Sequence, residues 1–205
     1  MRLKTPPLPL VSNAPDMLLS DEGYSALIPI DQITSEAEAF IPAFTCGTIS
    51  LDSFLKESAL DMHRDYLSRT SLLFHEAFDG LVGYVTLAND SIPLTVVEIS
   101  HMALNYNCTL PTFPAVKICR LAVNARLQNQ QIGRRILDLV TGAIVDSATA
   151  ARFLITDAID QPRVVKFYED YGFTRSIWAA DKHGKDRKHK GVATVKMIKD
   201  IYGEE

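Results

Sequence analysis

The residues with the most chemistry to offer lie in one stretch. Gln128-Asn-Gln-Gln-Ile-Gly133 follows a nearly continuous apolar run, Val116 to Val123, and precedes Ile136, Leu137, Val140 and Ile144 at helical spacing. A buried strand, a polar loop and a helix from Ile132 are predicted in that order. Such a loop gathers backbone N–H groups at a helix N-terminus, which is where an anion such as pyrophosphate is held, and Arg134 and Arg135 add positive charge. The single Gly133 falls short of a dinucleotide fingerprint, and no Gly-Lys-Ser/Thr follows it, so neither nucleotide motif is present. Taken alone, a strand-loop-helix unit that binds nothing is the commoner case.

Other reactive side chains give less. His63, His75, His183 and His189 show no metal-ligand spacing with one another or with the cysteines, and no metal is expected. Cys46, Cys108 and Cys119 are odd in number and lack CxxC spacing, so they read as small buried hydrophobes.

The elements that must position the loop fit one domain. A chain of 205 residues with 47% hydrophobic content can bury a sizeable core. Its net charge is −4, but residues 1–100 hold 5 Lys+Arg against 14 Asp+Glu, while residues 101–205 hold 16 against 11. The anion loop lies in the basic half, an asymmetry that can steer an anionic ligand. No apolar run is long enough to span a membrane. Pro6, Pro7 and Pro9 interrupt the stretch from Met1 to Leu10, unlike the centre of a signal peptide, so a cytoplasmic protein is expected.

Residues 1–22 carry four prolines and read as an extended arm, with the folded domain over 23–205. Tyr24 to Ile30 reads as a first strand. A helix is predicted from Leu51 to Leu67 behind a cap at Thr48 or Ser50. Ser71 to Phe78 and Leu81 to Ala88 read as a hairpin turning at Asp79-Gly80. The proline-bearing connector from Asp90 to Pro114 reads as a functional loop or short irregular elements. Phe153 to Ala158 is predicted parallel to the central strand, since a helix makes the crossover. Pro162 opens a short helix closed at Gly172, and two further strands, Phe173 to Ile177 and Val192 to Ile198, flank a charged loop from Asp181 to Lys190.

Three segments in order carry a resemblance. Arg120-Leu-Ala-Val123, Gln128 to Gly133 and Phe167-Tyr-Glu-Asp-Tyr-Gly-Phe173 resemble the GNAT superfamily of acetyl-CoA-dependent N-acetyltransferases, whose loop reads Gln/Arg-x-x-Gly-x-Gly/Ala and whose late helix ends in Tyr-x-x-x-Gly-Phe. The resemblance spans about Leu27 to Ile198. Cys46-Gly-x-x-x-Leu-Asp-x-Phe-Leu55 and Gly83-Tyr-Val-x-Leu-Ala88 resemble the toxin branch of that superfamily, which acetylates aminoacyl-tRNA and is neutralised by an antitoxin. The implied fold is α/β, a single GNAT-like domain whose mixed central sheet holds a parallel strand pair flanked by helices.

The resemblance also implies roles. Leu121, Ala122 and Val123 would offer backbone groups to the acetyl-CoA co-substrate, with no metal. Gln128, Asn129, Gln130, Gln131, Ile132, Gly133 and Arg134 would hold its pyrophosphate. Tyr168 would donate a proton to the departing thiolate, although on residues alone it reads as a core aromatic beside Phe167 and Tyr171. Where the family's loop has its first glycine this chain has Gln131, so the backbone there meets pyrophosphate either without positive φ or with strain. Glu98 and His101 are the candidate general bases, each more simply a surface or loop residue. An α-amine acceptor, with pKa near ~8, needs no base at neutral pH.

The leading reading is an N-acetyltransferase acting on a primary amine, with the α-amine of an aminoacyl-tRNA as the toxin-like case. The partners are then the acceptor, an antitoxin and a second copy of the chain as a homodimer, with no membrane. A small-molecule or protein amine is the alternative, favoured by the acidity of the whole chain. A non-catalytic CoA-binding interaction module is the third, motivated by Gln131 and opposed by Tyr168. The basic run Lys182 to Lys190, with Arg134, Arg135, Arg163 and Lys166, is the candidate contact for tRNA phosphates, weighed against a solvated loop.

Overall fold

The computed structural model describes residues 18–102, 111–183 and 193–203. Among these residues seven strands form one sheet in the order β1-β2-β3-β4-β5-β7-β6. They are β1 (Ile28–Pro29), β2 (Arg69–His75), β3 (Phe78–Ile92), β4 (Phe113–Val123), β5 (Phe153–Ile159), β6 (Thr174–Arg175) and β7 (Thr194–Asp200). Every pairing is antiparallel except β4 with β5, the parallel pair predicted from the crossover helix. The helices are α1 (Ser35–Glu38), α2 (Ile49–Glu57), α3 (Ala59–Arg64), α4 (Val96–His101), α5 (Ile132–Val145), α6 (Pro162–Glu169) and α7 (Ile177–His183).

Helix α5 makes the crossover and buries Ile132, Ile136, Leu137, Val140 and Ile144 on one stripe. These join Val82, Val85, Ile118, Leu154 and Met197 in the larger core on that face of the sheet. The opposite face carries two smaller clusters. Leu72, Leu81, Tyr84 and Ala122 meet Leu55 and Ala59 of α2 and α3, and Phe113, Ala115, Phe153, Ile155 and Ile198 meet Ile99 of α4.

Several local expectations are corrected. The hairpin turns at Glu76-Ala77, not at Asp79-Gly80, since His75 pairs with Phe78 across it. The His75 imidazole accepts the Ala77 N–H at 3.0 Å, and Phe78 is buried, so the chain must already be back in the sheet there. Asp79-Gly80 falls instead in an irregular part of β3. The expected helix from Leu51 to Leu67 is two helices broken at Ser58, whose φ of −131° lies outside the helical range. Thr48 is the N-cap of α2 but makes no side-chain cap bond. Only Ile28–Pro29 of the first expected strand pairs regularly, with Tyr24 reduced to an isolated bridge to His75. Ile177, expected in a strand, starts α7.

Glu98 explains that last difference. It is buried, not a surface residue, and closes a capping box with Thr95 at the start of α4. One oxygen accepts from the Thr95 N–H and hydroxyl at 2.7 and 2.9 Å. The other accepts from the Ile177 N–H at 2.8 Å and the Ser176 hydroxyl at 3.2 Å. One carboxylate thus caps two helices. Burial alone would raise its pKa, but the donors from Thr95, Ile177 and Ser176 together hold it below the ordinary carboxylate value.

Among the described residues no helix is long and apolar enough to cross a membrane. The arm expected over 1–22 is described only from Leu18, and the basic run lies outside the described residues from position 184 onward.

Glu98→Ala leaves four donors without their acceptor and should cost about 2 kcal/mol, lowering the thermal midpoint by roughly 4–8 °C in calorimetry. Because the folded pKa is depressed, the stabilisation is complete above the unfolded value of about 4.3 and is lost as pH falls through the folded value. The variant's stability should therefore fall less steeply than the parent's below that pH.

Candidate active site

The parallel pair does not run its full length. β4 and β5 pair from Ala115↔Phe153 to Ile118↔Thr156 and then part, β4 staying with β3 to Val123 and β5 with β7 to Ile159. The register of β3 against β4 shifts at the same place, where Thr86 pairs with Arg120 and Leu87 with Ile118, leaving Cys119 as the bulged residue. Beyond this fork the backbone of Leu121 to Val123 has no strand partner on its β5 side. Gly83, opposite Val123, is fixed by the same crowding: a Cβ there would lie 2.7 Å from the Ala122 carbonyl oxygen.

A cleft of about 1000 Å³ opens at the fork. Leu121, Ala122, Val123, Gln128, Asn129, Gln131, Ile132, Gly133, Arg134 and Tyr168 all line it, residues separated by up to 47 positions in sequence. Gln130 does not. Its side-chain oxygen accepts the Leu19 N–H at 3.3 Å, turning it toward the N-terminal segment. Arg135 also turns away, pairing with Asp21 at 2.8 Å and lying over the Tyr24 ring.

The loop between Leu127 and α5 takes two left-handed residues, Asn129 (φ 65°) and Gln131 (φ 59°). Gln131 therefore adopts the positive φ a glycine would supply, at a steric cost of about 1–2 kcal/mol. It is the N-cap of α5 and makes no side-chain cap bond. The first N–H groups of α5 have no acceptor within the helix, and the residues that carry them, Ile132, Gly133 and Arg134, line the cleft. Gly133 has a packing reason as well, since a Cβ would sit 3.0 Å from the Phe167 ring. Arg163 donates to the Asn129 side chain at 2.9 Å, and it lines the cleft with Arg134 and with Lys166, the last paired to Asp170 at 2.8 Å.

Tyr168 projects from α6 with its ring packed between Phe167 and Phe173, at centroid distances of 5.0 and 5.2 Å. Burial raises its pKa to about 12, the neighbouring Thr156 hydroxyl offsetting this only in part. Thr156 is the last residue of β5 paired to β4, so the tyrosine hydroxyl stands at the fork and stays protonated at neutral pH. Glu98 is not a candidate base, because both its oxygens are engaged by structural donors. His101 is exposed on α4 and does not line the cleft.

The far wall comes from Cys46, Gly47, Thr48 and Leu51, which were not assigned to the site from sequence. Asp52 fixes this turn by accepting the Cys46 N–H at 2.8 Å and the Thr45 hydroxyl at 2.7 Å. Gln128 ties it to the fork, donating to the Cys46 and Val123 carbonyls at 2.8 and 3.2 Å. The Cys46-to-Leu55 motif was the available signal, and its Asp52 is what holds the wall.

A sheet forked at its parallel pair, with a helix N-terminus facing the opening, defines a single-domain α/β transferase. The chain belongs to the acetyltransferase (GNAT) domain family, whose profile matches residues 45–201, and it is an acetyltransferase. No curated protein matches it. Among solved structures, a tyrosine-to-phenylalanine mutant of KacT is 19% identical with a TM-score of 0.61, covering 85% of this chain and 94% of that one. A tyrosine-to-phenylalanine mutant of the AtaT toxin is 19% identical with a TM-score of 0.62, covering 92% and 95%. AtaT complexed with acetyl-methionyl-tRNAfMet is 20% identical with a TM-score of 0.57, covering 76% and 85%. At these identities the likeness is one of fold.

Gln131→Gly removes the left-handed strain but gives the unfolded chain more freedom, so it should stabilise the protein by a net ~0.5–1 kcal/mol. Chemical denaturation should show the midpoint rising at unchanged m-value. A fall would mean that the glutamine side chain makes contacts worth more than the strain.

Proposed function

We propose that this protein transfers an acetyl group from acetyl-CoA to the α-amine of an aminoacyl-tRNA. The fork with Tyr168 at its apex carries the reading: it supplies unpaired backbone groups and a protonated hydroxyl at one point, under an uncapped helix N-terminus. The first turn of α5, with Arg134, Arg163 and Lys166, suits the pyrophosphate and the further phosphate of CoA. The Leu121 to Val123 backbone suits an extended amide chain, added as a strand would be. When bound, acetyl-CoA supplies an activated acyl thioester.

The remaining steps belong to the chain. Backbone N–H groups at the fork polarise the acyl carbonyl as the amine attacks. Tyr168 gives its proton to the departing sulfur as the C–S bond breaks; its hydroxyl, with a pKa of about 12, is a weaker acid than a thiol near ~8.5, so the transfer is completed by the acidic proton on the attacking nitrogen, which leaves and restores the phenol. An α-amine is partly neutral at physiological pH, so no protein base is required.

The toxin-like motif around Cys46 and Gly83 supports the aminoacyl-tRNA acceptor, since its residues build the cleft wall and the fork. The solved neighbours support it too, in that AtaT is seen with acetyl-methionyl-tRNAfMet and AtaTR with AcCoA. AtaT is also seen bound to the C-terminus of the antitoxin AtaR, which supports an antitoxin partner; the proposal includes a homodimer and a cytoplasmic site of action. A small-molecule or protein amine is the second reading, favoured by the net charge of −4.

Incubating the pure protein with labelled acetyl-CoA and separate pools of charged tRNA, polyamines and protein should place label in the charged tRNA. Label confined to the polyamine or protein pool would replace this acceptor with the second reading. Tyr168→Phe should lower kcat by roughly 10²-fold with acetyl-CoA affinity nearly unchanged, measured by steady-state kinetics and calorimetry. With the Tyr168 pKa at about 12, any loss of rate below pH 10 in the parent has another origin. Full activity in the variant would remove Tyr168 from the mechanism.

A further inference from the structure

On the face of the sheet opposite α5, the two smaller apolar clusters are separated, among the described residues, by a stretch of charged side chains. Tyr84 and Ala122 belong to the cluster at one end, and Ala115, Ile155 and Ile198 to the cluster at the other. Strand alternation places Arg120, Lys117, Asp157 and Lys196 on that same face, between the two clusters. Lys117 pairs with one Asp157 oxygen at 2.5 Å and Lys196 with the other at 3.1 Å. Their side chains are 29%, 34% and 22% exposed for Lys117, Asp157 and Lys196, so solutes reach them while solvent screens them only in part.

The position is specific. Asp157 is the first residue of β5 after its last pairing with β4, and Lys117 immediately precedes Ile118 at the end of that pairing. The three charges therefore meet at the apex of the fork, on the face away from α5. Asp157 and Asp90, whose charge also reaches Lys117, are two acids against the two ammonium groups and Arg120, which is held over the Phe54 ring at 4.9 Å and leaves one positive charge in excess. Partly buried excess charge of one sign is costly unless a counter-charge reaches it. Each ammonium has three N–H donors, of which its carboxylate partner engages only part. Two point cations set on either side of Asp157 suit the two non-bridging oxygens of a phosphodiester, which accept from any direction.

We propose that Lys117, Asp157 and Lys196 form the subsite that reads a phosphodiester of the acceptor, holding the 3′ end of an aminoacyl-tRNA so that its amine enters the fork. This rests on the acetyl-transfer reading above. The lysines bind the phosphate, and Asp157 positions them by drawing both ammonium groups to one point.

The test compares the parent with Lys117→Gln, Lys196→Gln and Asp157→Asn. For each, kcat and KM are measured with aminoacyl-tRNA over a range of salt and with a phosphate-free peptide amine, and acetyl-CoA affinity is measured by calorimetry. Each lysine variant should raise KM for aminoacyl-tRNA about 10-fold at low salt and flatten the salt dependence by roughly 0.7 in logarithmic slope. Asp157→Asn, which adds one net positive charge, should steepen that slope, an effect of opposite sign that a purely structural role would not produce. Acetyl-CoA affinity should hold in all three, showing the fold intact.

Unchanged KM and slope in both lysine variants would overturn the proposal. So would an equal loss with the peptide amine, which would mean that the cluster places the amine and reads no phosphate. A parent that acetylates peptide amines but no aminoacyl-tRNA would overturn the acceptor reading itself, and with it this inference. That failure appears before any variant is made.

Discussion

The parting of β4 and β5 is the constraint on which the rest of the molecule depends. A parallel pair in the middle of a seven-stranded sheet would ordinarily be bonded along its length and buried on both faces. Here the bulge at Cys119 turns β4 away after four residue pairs, and Gly83 lets β3 follow it without a clash against Ala122. Backbone groups left without a strand partner must find another acceptor or donor. The fold meets that demand partly with the Gln128 side chain, which donates to the Val123 carbonyl. The open remainder is where the proposed co-substrate would bond.

The second constraint is the loop that feeds α5. Two left-handed non-glycine residues within three positions are costly, and they persist because both ends of the loop are anchored. At one end the 3-10 turn Ala125–Leu127 is closed by Asn124, whose side chain accepts the Arg126 N–H and donates to the Leu81 carbonyl. At the other, five buried apolar residues of α5 fix the helix against the sheet. Packing worth several kcal/mol holds a strain of a few, and the result is an N-terminus presented to the cleft with no cap of its own.

The two faces of the sheet then take different work. Helices α5 and α6 cover one face and bring the anion loop and Tyr168 to the fork. Among the described residues the other face carries apolar clusters at its two ends, with Lys117, Asp157 and Lys196 between them. A donor and an acceptor proposed to meet at the fork would thus arrive from opposite sides. Glu98 stiffens the second face by capping α4 and α7 together.

The sequence by itself determined the parallel pair, the crossover helix and the closing α6, because each rests on local periodicity and on the Pro162 and Gly172 stops. The resemblance it carried also marked ten of the residues that line the cleft, between Leu121 and Arg134 and at Tyr168. It misplaced the hairpin turn, since Asp79-Gly80 is a strong local signal overruled by the burial of Phe78. It missed α7, whose start depends on a carboxylate 79 positions earlier in the chain. It could not tell that Gln130 and Arg135 turn away from the cleft, because their partners Leu19 and Asp21 are more than a hundred residues distant. Nor could it bring Lys117, Asp157 and Lys196 together, since strand pairing and alternation decide which side chains share a face. Local pattern fixes elements; which side chains meet is set by long-range packing, and only the tertiary structure decided that.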